Sequence, residues 1–350
     1  EPLPVLTSGD FLNSLNRMSV SKEKTLEEMR ARARDAVFVL PKIAMTGQLT
    51  VLWASFSTGK TLLTMWLLSQ RDDSLLQDYR MFYINADDDF NGSIEKAEKM
   101  KTFGVEMLVP SENGFSIDGF QDILRDAIAT DSARGLVFFL DTLKKFTSLM
   151  DKTKVPEFTK LCRAFAHAGG TIIALGHTNK HKVDGQSISE GVGDINSDFD
   201  AAYVVDEVSS DEKQKTVVFN HAKSRGPNDK KVTFTYDNSE GITWDQRFES
   251  VKMNIGAEAF AVLSKVKDDD EHKKDKPAID YITGRLSHAD SLTKTELTYD
   301  DLKAGNPSKA SRIRVLAKYT QNHPREEFRY WVESDGEKGS KKYHLDSFRF

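Results

Sequence analysis

Short runs of β-branched and aromatic residues alternate with longer amphipathic stretches from Val37 to Val251. A strand buried on both faces reads as an unbroken apolar run, whereas a helix packed on one side repeats its apolar positions every three or four residues. On that basis Leu49–Trp53, Met81–Asn85, Leu136–Asp141, Thr171–Gly176 and Ala201–Val205 are expected as strands of a mostly parallel sheet with helices on both faces. Thr216–His221, Lys231–Tyr236 and Gly241–Trp244 are expected as antiparallel strands that close it.

The pattern divides the chain into four parts. Ser8-Gly-Asp ahead of Phe11-Leu12, and Ser21-Lys-Glu-Lys-Thr ahead of a charged stretch to Arg34, make residues 1–36 a helical segment suited to packing subunits together. Residues 37–254 form the α/β domain. Residues 255–276 end in Asp-Asp-Asp-Glu-His-Lys-Lys-Asp-Lys and are expected as a solvated linker. In 277–350 a helix from Pro277 to Leu286, an element around Tyr299–Leu302 and a basic helix from Lys309 to Tyr319 come first. A hairpin follows (Phe328–Val332, a turn at Asp335-Gly336, Lys341–Leu345), and this order suggests a winged helix.

Composition narrows the function. At 350 residues the chain can bury one full α/β core with small appendages. Its net charge of −5 excludes a globally basic nucleic-acid binder but leaves room for a local basic groove. No apolar run approaches the roughly 20 residues that cross a bilayer, and no signal peptide is legible, so a cytoplasmic protein without membrane contact is expected. The chain opens on Glu1 rather than Met, as a processed product or a piece of a longer protein would. Cys162 is the only cysteine and sits in an apolar helical pattern with Phe158, Leu161 and Phe165, which reads as core and excludes a cysteine-cluster zinc site. His177 and His181 have metal-like spacing, but no matching ligands stand out.

The chemistry begins after Leu49–Trp53. Ala54, Ser55, Phe56, Ser57, Thr58, Gly59, Lys60 and Thr61 follow that strand, and the helical run Leu62–Ser69 follows them. Strand, glycine-containing loop and helix with Gly-Lys-Thr at the junction is the context of a phosphate-binding P-loop. Gly59 lets backbone N–H groups turn inward, Lys60 would reach the β- and γ-phosphates of ATP, and the Thr61 hydroxyl would ligate Mg2+. Ala54 departs from the pattern, standing where the first glycine belongs.

Two more strands end in acid. Leu136-Val-Phe-Phe-Leu-Asp141 has the form of a Walker B segment, with Asp141 placed to hold Mg2+ directly or through water. Phe82–Phe90 carries Asp87 and Asp88; Asp87 is the candidate base for orienting the attacking water and Asp88 its alternative. A loop of solvated acids would give the same pattern, and at least one of the two is expected to face solvent or a neighbouring chain.

The order of these elements resembles the RecA-like hexameric ATPases, in particular DnaB-type replicative helicases and plasmid RepA-type helicases. Leu175-Gly-His-Thr-Asn-Lys180 lies where that family has its polar sensor, which implies His177 as a γ-phosphate sensor. Ser189–Asp200 is similar to the family segment that follows a DNA-contacting channel loop. His221-Ala-Lys-Ser-Arg-Gly-Pro227 resembles the Lys-x-Arg-x-Gly-Pro motif, which implies that Lys223 and Arg225 act in trans on a neighbour's ATP. The resemblance spans residues 37 to 251. It implies an ATP- and Mg2+-dependent ring, in that family a hexamer, that moves along single-stranded DNA in the replication of a plasmid, phage or mobile element. The shorter Asp87 in place of the family's glutamate departs from the pattern.

Lys180, His181 and Lys182 are the candidate channel contacts to single-stranded DNA. Lys309 and Arg312 on the basic helix are candidates for duplex DNA, although Asp300, Asp301, Glu326 and Glu327 blunt that surface and a protein partner fits as well. Two other functions fit the same motifs. One is a RecA- or KaiC-like ATPase of recombination or signalling; the other is a nucleotide-binding scaffold that loads a replication partner, which Ala54 keeps open.

Overall fold

The computed structural model describes residues 23–88, 90–147, 154–178, 198–299, 305–336 and 339–346, with positions 13, 16, 19, 182–183 and 186–187. The chain divides into two compact units, Glu1–Ile255 and Gly256–Phe350.

In the first unit helix α1 (Glu23–Arg34) and the short strands β1 (Phe38–Leu40) and β2 (Ala44–Met45) precede the sheet. Five of the sheet's parallel strands are β3 (Leu49–Ala54), β4 (Arg80–Asn85), β5 (Glu106–Leu108), β6 (Leu136–Asp141) and β7 (Thr171–His177), and Ala201–Ser210 also runs parallel to β3. Helices α2 (Lys60–Ser69), α3 (Phe90–Thr102), α4 (Phe120–Ala129) and α5 (Lys154–His167) connect them. After the two-residue strands β8 (Lys182–Val183) and β9 (Gln186–Ser187) come β10 (Ala201–Ser210), β11 (Gln214–Ser224) and β12 (Lys231–Asp237). Helix α6 (Trp244–Glu249) and β13 (Lys252–Asn254) complete the unit.

The nine strands of the large sheet lie in the order β13-β12-β11-β10-β3-β7-β6-β4-β5. The strand bearing His177 thus separates the P-loop strand from the strand ending in Asp141, and β10 flanks the P-loop strand on its other side. This is a mixed α/β core built on a mostly parallel central sheet. Alternate residues of β3 serve opposite faces: Leu52 and Ala54 join the core that packs α2, and Leu49, Val51 and Trp53 join the core that packs α4 and α5. Both faces being apolar explains why these strands were legible as continuous runs. Gly176 is required here, because a Cβ would lie 2.2 Å from the Trp53 ring.

One expected strand is absent. Gly241–Trp244 is a turn leading into α6, because Thr243 and Gln246 form a reciprocal capping box that starts a helix at Trp244. The edge of the sheet is β13, paired with β12.

The second unit opens with α7 (Gly256–Leu286), a 31-residue helix that replaces the expected linker at 255–276 and contains Pro277 instead of starting at it. Three of its acids are partnered from the rest of the unit: Asp269 by Arg325, Glu271 by Lys318, and fully buried Asp275 by Arg314, Lys318 and the Tyr319 hydroxyl. A charge run therefore packs as a helix when the opposing element supplies the opposite sign. Strand β14 (Leu292–Thr293), α8 (Lys294–Thr298), α9 (Lys309–Lys318), β15 (Trp331–Asp335) and β16 (Lys341–Leu345) follow. The sheet order β14-β16-β15, with helices before a terminal hairpin, is winged-helix-like. Among the described residues no helix is long and apolar enough to cross a membrane.

Candidate nucleotide site

Parallel register brings the candidate residues to one edge. Ala54 pairs with His177, Leu175 with Asp141, and Asp141 with Asn85, so the carboxyl ends of four strands meet there.

The loop after β3 turns through two left-handed residues, Ser57 at φ 61° and Gly59 at φ 92°. Ala54 remains part of the strand and is fully buried, so its backbone makes no demand for glycine. The loop is tied together by the Ser55 and Thr58 hydroxyls, 2.9 Å apart. It is also held from outside. Lys215 Nζ donates to the Ser57 carbonyl at 2.8 Å while pairing with Glu207 at 2.6 Å, and the Tyr236 hydroxyl donates to the Thr58 carbonyl at 3.3 Å.

Lys60 follows Gly59 at the first turn of α2. Its Nζ is buried without a hydrogen-bond partner and lies 4.0 Å from Asp141 Oδ1. Burial holds its pKa below the usual lysine value, opposed by the charge of Asp141. A buried ammonium lacking acceptors is costly, and phosphate oxygens are acceptors of the matching sign.

Asp141 is buried at the end of β6. The Tyr83 hydroxyl donates to its Oδ2, and Lys96 Nζ of α3 lies 3.3 Å from the same oxygen. Burial, then Asp141, pushes the Tyr83 pKa well up, so the phenol stays a donor. Lys96 also reaches Asp88 at 2.6 Å and the Asn85 side-chain carbonyl at 3.1 Å. The oxygens of Thr61 and Asp141 suit Mg2+, a hard cation. Among the described residues no group of three or more His, Cys, Asp or Glu side chains gathers for a metal. A Mg2+ ion here fits a site completed by phosphate and water.

Asp87 and Asp88 are both exposed at the mouth of the same cavity, which has a volume of about 250 Å3 and is also lined by the P-loop, Asp141 and His177. Asp87 lies 3.6 Å from His177 Nε2, 3.7 Å from Lys144 and 4.0 Å from Lys145. The His177 ring stacks on Phe56 at 4.3 Å, and neither of its nitrogens has a hydrogen-bond partner. Burial, then Lys60 and Lys144, lowers its pKa, so the imidazole is neutral at pH 7.

Lys223 and Arg225 are at the opposite edge. Ala202 pairs with Lys223 on one side and Val51 on the other, and Arg225 lies 3.7 Å from Asp200, just before β10. At about 3.3 Å per residue, the three to five residues from Val51 and Leu49 to Ala54 keep this edge at least roughly 10–17 Å from the start of the P-loop of the same chain. Burial, then Arg225 and Arg163, lowers the Lys223 pKa.

Lys180 and His181, and the segment 189–197, lie outside the described residues, as does the Lys182 side chain. Lys309 is exposed at the start of α9. Arg312 is not a DNA contact: it is fully buried, with its guanidinium 4.8 Å from the Tyr281 ring centre. Its spacing from Val315, Leu316 and Tyr319 puts it on the packed face of the helix, which the charge of the residue alone conceals.

Lys96, Lys215, Tyr236 and Tyr83 escaped sequence reasoning. Lys96 is one charged residue among many on α3, and Lys215 lies 158 positions from the carbonyl it holds. Only Tyr83, two residues before Asn85 on a strand next to the acidic one, carried a signal.

The chain matches no protein-family model and no curated protein. Among solved structures, the flagellar accessory protein FlaH from Methanocaldococcus jannaschii is similar over 61% of this chain and 92% of its own, at 12% identity and a TM-score of 0.40.

Proposed function

We propose that this chain is a Mg2+-dependent ATP hydrolase that assembles head to tail into a ring and moves along single-stranded DNA. The observation that carries the reading is the separation of the two half-sites. Lys60, Asp87, Asp141 and His177 gather at one edge of the sheet, and Lys223 and Arg225 stand at the other. A head-to-tail interface brings such edges together, and a closing rotation makes a ring.

In this scheme Lys60 binds the β- and γ-phosphates, and Thr61 and Asp141 hold Mg2+, which when bound neutralises charge on the phosphate oxygens. Asp87 orients the attacking water beside neutral His177, which senses the γ-phosphate. Arg225 of each chain stabilises transition-state charge in the next, an effect on the order of 10³-fold or more in rate. The DNA-stimulated helicase rests on the family resemblance and on Lys180–Lys182. The geometry equally suits a RecA-like ATPase that does not unwind. Ala54 gives the non-hydrolytic scaffold little support, since its backbone is ordinary strand.

The test is ATP hydrolysis with and without single-stranded DNA for the unsubstituted chain, Lys60→Ala and Arg225→Ala. Mixtures of unsubstituted chain with Arg225→Ala are assayed alongside. Stimulation by DNA that both substitutions abolish, with non-linear loss in the mixtures, is expected. A slow rate indifferent to DNA and unaffected by Arg225→Ala would exclude the ring motor.

A further inference from the structure

Beside the phosphate cavity lies a second one, of about 470 Å3, for which the scheme above has no use. Thr61 lines both cavities. Lys96 lines this one and reaches with its ammonium to the acids of the other. The walls are the adjoining faces of α2, with Met65, and α3, with Gly92, Lys96 and Lys99; α6 contributes Trp244.

Trp244 is 41% exposed, uncommon for an indole in a folded core domain. It is nevertheless firmly mounted. The capping box of Thr243 and Gln246 fixes the start of its helix, and its ring stacks on Phe248 at 5.0 Å. Lys99 Nζ lies 4.7 Å from the indole centre and is neutralised by Asp245. The other carboxylates on the wall are those of Glu95 and Glu98, both exposed. With Lys99 and Lys96 already paired to acids, the cavity has no spare positive charge for phosphate. It offers a flat aromatic ring, a thioether and carboxylate acceptors at the rim, which together suit an uncharged planar heterocycle bearing N–H donors.

We infer that this cavity binds the purine base of the nucleotide whose phosphates occupy the P-loop, with Trp244 as the stacking platform. The inference rests on the phosphate-site reading. It makes Trp244 a specificity-determining residue and gives Gly92 a role, since a glycine there adds no side chain to the α3 wall. Glu95 and Glu98 accept hydrogen bonds from the exocyclic amino group of the base, which tripolyphosphate lacks.

The experiment compares Mg·ADP with Mg·tripolyphosphate by calorimetry and by tryptophan fluorescence, for the unsubstituted chain, Trp244→Leu and Trp244→Phe. ADP is expected to quench emission in the unsubstituted chain and tripolyphosphate is not. Trp244→Leu should weaken ADP binding about tenfold, in line with base–aromatic stacking elsewhere, and leave tripolyphosphate binding within about twofold. Trp244→Phe should retain most of the affinity and lose the quenching. Equal weakening of both ligands by Trp244→Leu, or no weakening of either, would overturn the platform and leave the phosphate site standing. Failure of the unsubstituted chain to bind tripolyphosphate would instead overturn the phosphate site, and the platform with it.

Discussion

A Cβ placed on Gly59 would lie 2.4 Å from the Tyr236 hydroxyl, so the third residue from the end of the P-loop is fixed both by its own backbone and by a strand far away in sequence. Gly59 also has φ 92°, where a side chain is strained whatever the surrounding space. Gly59→Ala is therefore expected to lose nucleotide binding. Adding Tyr236→Phe removes the closest clash but not the backbone strain, and should restore at most part of it. Full recovery in the double variant, measured by calorimetry, would show that the backbone term is unimportant.

Lys215 holds the Ser57 carbonyl from β11. Lys215→Met keeps much of the buried stem and removes both the charge-assisted hydrogen bond to Ser57, worth about 1.5–3 kcal/mol, and the ion pair with Glu207. Nucleotide affinity should fall about tenfold, at the low end of that range, and the melting temperature should fall by roughly 2–6 °C because the same bond is present without nucleotide. An unchanged dissociation constant would mean that the loop keeps its shape without this support.

His177 carries a pH dependence whose sign follows from its surroundings. Its folded pKa lies below 6.5 because burial, then the charges of Lys60 and Lys144, disfavour the imidazolium. The unfolded chain therefore takes up this proton first. The contribution of His177 to stability is constant above about 6.5 and falls as pH drops through the folded value. Lys144→Met removes one of the opposing charges and should move the His177 titration, followed by NMR, upward. A downward movement would contradict the electrostatic account.

Arg163 and Arg225 both face Asp200, yet they should behave differently on substitution. Arg163 donates to both carboxylate oxygens, at 2.7 and 2.8 Å, whereas Arg225 is 54% exposed on its side chain and 3.7 Å away. Asp200 also accepts from the Leu49 backbone N–H at the start of the P-loop strand. Arg163→Ala is expected to cost about 2 kcal/mol in chemical denaturation by stranding that carboxylate. Arg225→Ala should leave stability within about 0.5 kcal/mol while abolishing hydrolysis. A large stability loss in Arg225→Ala would reassign it to holding the fold.

What the sequence determined by itself is the part written locally. Doubly buried parallel strands must be continuous apolar runs, and a strand, a glycine turn and a helix are written in consecutive residues, so β3, β6, β7 and the turn between Ala54 and Thr61 were all legible. The tertiary structure decided everything that depends on which distant residue comes alongside. It turned the charged run at 255–276 into a helix, because Arg314, Lys318 and Arg325 meet its acids. It buried Arg312, which the residue type alone would place in water. It set Lys96 between Asp88 and Asp141, put Lys215 beneath the P-loop, and opened a cavity beneath Trp244. Period and turn chemistry act over a few residues and can be read from the chain, but pairing of charges and rings acts through space, and only the folded sheet brings those partners within reach.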